Sequence, residues 1–327
     1  MPPAITYTVT RRAVLAALSG LAGAPILPMF DALAAPLAYT LKPVKLTDGV
    51  WMVAGVPEAV NMRNGGAIAN VTILSSSEGA IIVDTGPSRR YGLELAKLAK
   101  ELTGKDIARV YLTHIHPDHI FGCQAFVPEQ IAATEGVIKG VTELGDGFAS
   151  AMYGLAGDWM RGTEVVVPKH VISSSVEDVG DRRLRLMRMK GHTASDLAVY
   201  DELTGIFITG DLVFLDRAPT TPHANIPDWK VSLANLGGIP FSYMVPGHGP
   251  AEETVRGIDQ TRAWITEVEL LISGAFERGL DMTEAMALPL PAWTEQVALA
   301  RYEYTRTVMH LYPKLEAARL PQVGGRN

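Results

Sequence analysis

Apolar residues along the first part of the chain come in short runs divided by Gly, Asn and Ser, and helical spacing takes over only after residue 253. Residues 50–53, 69–73, 80–83 and 110–112 predict strands. Ser88 offers an N-cap to a helix carrying Leu93, Leu95, Leu98 and Leu102. Residues 129–162 are irregularly helical and glycine-rich, with Phe148, Tyr153 and Trp159 spread through them. That pattern fits a mobile lid over a pocket and equally fits surface helices packed on a sheet. Residues 183–189 alternate strictly, as a half-buried strand does. Residues 197–200 and 206–209 predict a hairpin, and 243–245 a further strand. Beyond residue 253 one helix is expected through about residue 278 and another from Trp293. The second carries Tyr304, Val308, Leu311 and Leu315 at helix spacing until Pro313 disturbs it. With no Pro/Ser-rich linker and no repeat, these helices are expected to pack on the main body.

The N-terminus has a different composition. Thr10-Arg11-Arg12 precedes an uncharged run over residues 13–30, and Ala32-Leu33-Ala34 supplies a small-x-small cleavage site. This order predicts an export signal over residues 1–34, twin-arginine-like through Arg11 and Arg12, and hence a periplasmic protein. The alternative is a membrane anchor, which Gly20, Gly23, Pro25 and Pro28 disfavour. Cys123 is the only cysteine, so no intramolecular disulfide can form, and stability must come from the core and from metal. A net charge of -6 over 327 residues, without a Lys/Arg run, excludes nucleic acid as a partner and leaves a small molecule as the expected one.

The chemistry concentrates in Thr113-His114-Ile115-His116-Pro117-Asp118-His119, three imidazoles and a carboxylate within six residues. His114 and His116 are two apart, so beside an extended strand both rings leave on one face. Pro117 suits a first helical position, which puts Asp118 and His119 on the opening turn. Imidazole and carboxylate are the usual ligands of zinc and similar divalent ions. Three later strands also end at Gly plus a ligand-type residue, in Gly191-His192-Thr193, Gly210-Asp211 and Pro246-Gly247-His248-Gly249.

With Asp84 in Asp-Thr-Gly, the complete His-x-His-x-Asp-His stretch, Gly-His-Thr, Gly-Asp and Pro-Gly-His-Gly in this order, the chain resembles the metallo-β-lactamase superfamily from Val44 to about Pro250. The resemblance implies an α/β (α+β) protein, a four-layer αβ/βα sandwich over residues 35–275, with a helical extension over 276–327. It implies two Zn2+ ions per chain, one held by His114, His116 and His192, the other by Asp118, His119 and His248, with Asp211 between them. Asp84 would orient the ligand loop without touching metal. Two divalent ions roughly 3.5 to 4 Å apart bring the pKa of a shared water toward neutrality and stabilise an oxyanion. Asp118 is the expected catalytic group, holding or shuttling the attacking water's proton.

Asp211 resembles the bridging residue of the glyoxalase II and lactonase branches, where zinc β-lactamases have Cys or Ser. An ester, lactone or thioester is therefore expected ahead of a β-lactam. The leader, Asp-Thr-Gly-Pro-Ser and the helical tail are similar to SoxH-like zinc metallohydrolases of quinoprotein systems. That similarity admits two alternatives, an iron-dependent sulfur oxygenase and a non-catalytic periplasmic relay protein with a quinoprotein partner. The tail is too short for the glutathione-binding domain of glyoxalase II. Arg217 and His223, in the Pro-rich loop after Asp211, either contact substrate or lie on the surface. Cys123, where the family often has Asn, either packs quietly or sits beside the metals. His170 and His310 have no motif context.

Overall fold

A computed structural model describes residues 37–319. The export signal expected over residues 1–34 lies outside the described residues. Among the described residues twelve strands form two sheets. In the first, β1 (Pro43–Thr47), β2 (Val50–Val53), β3 (Val71–Ser75) and β4 (Ala80–Val83) are antiparallel neighbours, while β5 (Ile107–Tyr111), β6 (Ile131–Ala133) and β7 (His170–Val171) continue it in parallel. The second runs in the order β12-β11-β10-β9-β8, from β8 (Val176–Val179), β9 (Arg182–Met189), β10 (Asp196–Asp201), β11 (Ile206–Phe214) and β12 (Tyr243–His248).

The period-2 rule explains the layering. Met52, Ile81, Val83 and Tyr111 from one sheet share a core with Leu184, Leu186, Val199 and Ile208 from the other. Their alternate neighbours point outward under helices. On the first sheet Ile73, Ile82 and Val110 pack with helix α1 (Arg89–Thr103) and helix α3 (Glu135–Ala156). On the second, Ala198, Phe207 and Met244 pack with α4 (Ile226–Gly237), α5 (Arg256–Glu277), α6 (Met282–Met286) and α7 (Ala300–Arg319). The short helix α2 (Pro117–Ile120) completes the set. This is the αβ/βα sandwich.

Ser88 caps α1, its hydroxyl accepting from the Tyr91 amide. Several expectations change. Residues 129–162 hold strand β6 and a regular 22-residue helix, α3, rather than irregular helices. Ala133 and its neighbours are a three-residue buried run, too short to show a period. β11 does not stop before Gly210 but continues to Phe214, through a register shift at Gly210 that re-aims the strand. Pro313 does not end the last helix, which continues to Arg319. Packing of Tyr304, Val308 and Tyr312 into the core offsets the lost hydrogen bond. The boundary drawn at 275/276 falls inside α5, and side chains before and after it share one core. Among the described residues no helix is long and apolar enough to cross a membrane.

Candidate metal centre

Strand direction decides where the site lies. β4 and β5 are parallel, β11 and β12 are parallel, and β9 runs with β11 because β10 opposes both. Residues just after these strands, or near their ends, therefore collect at one edge of the sandwich: Asp84, His114 and His192 after β4, β5 and β9, Asp211 within β11 beyond its register shift, and His248 at the end of β12. The halves are stitched there by hydrogen bonds. The Leu197 amide donates to the Thr113 carbonyl at 2.7 Å, and the Asn70 side chain donates to the carbonyls of Pro246 and Gly249 at 2.8 and 2.7 Å.

The buried ligand-type atoms form two groups, one of His114, His116, His192 and Asp211, the other of Asp118, His119 and His248. In the first, His116 Nδ1 lies 3.1 Å from His114 Nε2 and 2.8 Å from His192 Nε2. Asp211 Oδ2 stands 3.6 and 3.2 Å from those same two Nε2 atoms. The other oxygen, Oδ1, faces the second group, 3.1 Å from His119 Nε2 and 3.3 Å from His248 Nε2. Asp118 Oδ2 is 3.4 Å from His248 Nε2 and 3.7 Å from His119 Nε2. One carboxylate thus offers one oxygen to each group.

These spacings suit metal better than hydrogen bonding. Ligands about 2.1 Å from a tetrahedral ion are about 3.4 Å apart. Among the described residues, His119 Nε2 and Asp211 Oδ1 are buried without a hydrogen-bond partner although they are neighbours, and a metal ion held between them would satisfy both. Charge points the same way. Burial opposes ionisation of Asp211, but the imidazoles of His248, His119, His114 and His192 outweigh it and hold the carboxyl well below the usual range. Burial, then neighbouring imidazoles, keep His114 and His116 well below the ordinary histidine value, in the neutral form that binds metal. At His119 burial is outweighed by the carboxylates of Asp211, Asp84 and Asp118, which hold it well above that value, so a cation there would displace a proton. Asp84, Asp118 and Asp211 are all buried here, and a concentration of anions out of water needs compensating cations.

Three of the outward-facing ring atoms are fixed by protein, whereas His192 Nδ1 is buried with no hydrogen-bond partner among the described residues. His119 Nδ1 is 2.7 Å from Asp84 Oδ2, His114 Nδ1 is 2.9 Å from Thr113 Oγ1, and His248 Nδ1 is 2.8 Å from the Ile68 carbonyl. Asp84 also accepts from the Thr113 amide and hydroxyl, both at 2.8 Å. Its φ of 65° lies in the left-handed region, disfavoured by roughly 1–2 kcal/mol for a residue with a side chain. Thr113 and Asn70 have no ligand chemistry and were not singled out in the sequence; the position of Thr113 between β5 and His114 was the available signal.

The centre opens into a cavity of about 370 Å³. Asp118, Asp211, His116 and His248 reach it. His223 also lines it, its Nδ1 2.9 Å from His116 Nε2. Arg217 lines it too, but it is buried and ion-paired to Glu303 at 3.3 Å rather than lying on the surface. Helix α3 contributes Phe148 and Met152, and α7 contributes Arg306 and His310, the latter a residue without motif context. Cys123 belongs to neither ligand group. It is buried in the core with its Sγ 3.6 Å from Thr85 Oγ1, and burial pushes its thiol up to about 12.

With the geometry established, comparison settles the family, because the metallo-beta-lactamase superfamily profile matches residues 64–248, more than half of the chain. The chain belongs to the metallo-beta-lactamase superfamily. This superfamily member is 27% identical over 205 residues to the acyl-coenzyme A thioesterase MBLAC2 of Homo sapiens, covering 55% of this chain and 72% of that protein. It is 24% identical over 219 residues to the beta-lactamase-like protein 2 homolog of Caenorhabditis elegans, covering 66% and 67%. Among solved structures, a metallo-beta-lactamase from Pontibacter korlensis superposes with a TM-score of 0.55 over 69% of this chain and 99% of its own, at 22% identity, which shows the shared fold. The protein is a metal-dependent hydrolase of this superfamily.

Proposed function

We propose that the protein is an exported dinuclear zinc hydrolase that cleaves an ester, lactone or thioester. The observation carrying this reading is Asp211, whose two oxygens face two separate groups of imidazoles. A second complete group, Asp118, His119 and His248, favours two ions over the single ion of an iron oxygenase. The similarity to a protein named as an acyl-coenzyme A thioesterase favours a thioester among the candidate bonds.

His114, His116 and His192 would hold one ion and Asp118, His119 and His248 the other. Bound divalent ions supply Lewis acidity and a nucleophile usable at neutral pH. The chain's own residues supply the rest. Asp118 borders the cavity, where its carboxylate holds the attacking water and receives its proton. Asp84 and Thr113 fix the imidazoles of His119 and His114, so the ligand set is arranged before substrate arrives.

Metal analysis of the chain lacking residues 1–34, with a screen of esters, lactones and thioesters, tests the proposal. Two equivalents of zinc per chain are expected, with His116→Ala losing at least one and turnover falling with it. A protein holding one iron, consuming oxygen with persulfides and hydrolysing none of these compounds, would point to the oxygenase instead.

A further inference from the structure

The cavity has two unlike walls, one from each half of the sandwich. Helix α3 presents Phe148, Met152 and Leu155, a hydrocarbon surface whose Leu155 is half exposed. The facing wall comes from the loop after β11 and from α7. Glu303, Arg306 and His310 recur on α7 at spacings of three and four, so they share one helix face. Tyr304, Val308 and Tyr312 hold the opposite face in the core.

This second wall is rigid and cationic. Thr221 and Thr307 hydroxyls are 2.7 Å apart, and the Ala218 amide donates to the Ala298 carbonyl at 2.9 Å, fastening the loop to the segment leading into α7. Arg217 Nη2 donates to Glu303 Oε1 at 3.3 Å, and Arg306 Nη1 donates to the two Glu303 oxygens at 3.2 and 3.0 Å and to Thr220 Oγ1 at 3.0 Å. A single carboxylate is shared by two guanidiniums, so among the described residues one positive charge on this wall has no counterion. Arg217 is buried, and among the described residues its Nε has no hydrogen-bond partner. The surplus is felt nearby: burial, then Arg306 and Lys314, hold His310 below the ordinary histidine value. A buried guanidinium with an unused donor is costly unless an anion completes it.

We propose that Arg217, Arg306 and His310 form an anion subsite, and that the substrate is an acyl compound with its hydrocarbon part along α3 and a carboxylate or phosphate group against α7. This rests on the hydrolase reading above for the position of the scissile bond between the walls, but not for the binding itself. Glu303 presents the two guanidiniums as one fork, and the fork selects the anionic arm.

Calorimetric binding of uncleavable thioethers separates the two ideas. The probes are S-octyl-3-mercaptopropionate, S-octyl-2-mercaptoethyl phosphate and the neutral S-octyl-2-mercaptoethanol. The full chain is expected to bind at least one anionic probe about tenfold more tightly than the neutral one. The tighter of the two anionic probes identifies the arm as carboxylate or phosphate. Arg306→Gln is expected to bring the ratio of affinities close to one, and Arg306→Lys to restore part of it. Because the readout is a ratio within one preparation, partial unfolding does not imitate the result. Equal affinity of the native protein for all three probes, or a preference that survives Arg306→Gln, overturns the subsite. The matching octanoyl thioesters test the other idea: anion-selective binding of thioethers without hydrolysis of any thioester would sink the thioester reading of the proposed function and leave the subsite standing.

Discussion

The two halves of the sandwich supply the metal centre in different ways. The first half delivers His114, His116, Asp118 and His119 from one turn between β5 and the end of α2, braced from behind by Asp84 and Thr113. The second delivers His192, Asp211 and His248 singly, His192 from the turn after β9, Asp211 from within β11 and His248 from the end of β12. A contiguous turn fixes its ligands by local geometry. Separate strands can place theirs only if the register of a whole sheet is right, and there close backbone packing adds to a single ring contact, from His248 Nδ1 to the Ile68 carbonyl.

That contrast is most severely tested at Asp211, the one side chain shared by both ligand groups. Asp211→Ala is expected to strip both metals and to lower kcat/KM by at least about 10³-fold, roughly 4 kcal/mol of transition-state stabilisation. Elemental analysis beside kinetics checks this; a variant retaining two tightly bound ions would show that the carboxylate is not shared. Next comes the packing that holds it. A Cβ at Gly247 would sit 1.9 Å from Asp211 Oδ1 and 2.8 Å from the Asp211 amide. Gly247→Ala should therefore cost about 3 kcal/mol and lower the melting temperature by about 5–10 °C, with loss of metal. Unchanged melting and metal content would mean that β12 shifts freely against β11 and that strand packing does not position Asp211. The smallest effect is expected in the braced first half. Asp84→Asn keeps the size of the side chain but replaces one acceptor facing Thr113 and His119 with a donor. Zinc affinity should fall by about 10- to 100-fold, read by competition with a chelating dye, while the fold persists. A larger loss than that of Asp211→Ala would reverse the ranking of the two halves.

Much of this was legible in the residues. His114 through His119 announced a metal site because ligand density in six residues exceeds what a core uses, and the Gly-plus-ligand strand ends supplied its partners in order. Ser88 as a cap and the alternation of residues 183–189 fixed elements locally. Other parts were not legible. Strand β6 is three buried residues, and a run that short has no period to read. The assignment of Arg217 to substrate or surface turned on Glu303, 86 residues away, because only a partner decides whether a guanidinium is free. His310 looked incidental for the same reason: its neighbours in the cavity come from the other end of the fold.

The sequence by itself thus determined the ligand chemistry, the strand ends that carry it and the layered class of fold, since these follow from residue type and short-range period. Tertiary structure alone decided that Asp211 turns one oxygen to each ligand group, that α3 and α7 line one cavity, and that α3 lines it with apolar side chains and α7 with charged ones. Those depend on sheet register and helix docking, which bring together residues whose separation along the chain says nothing of their distance in space.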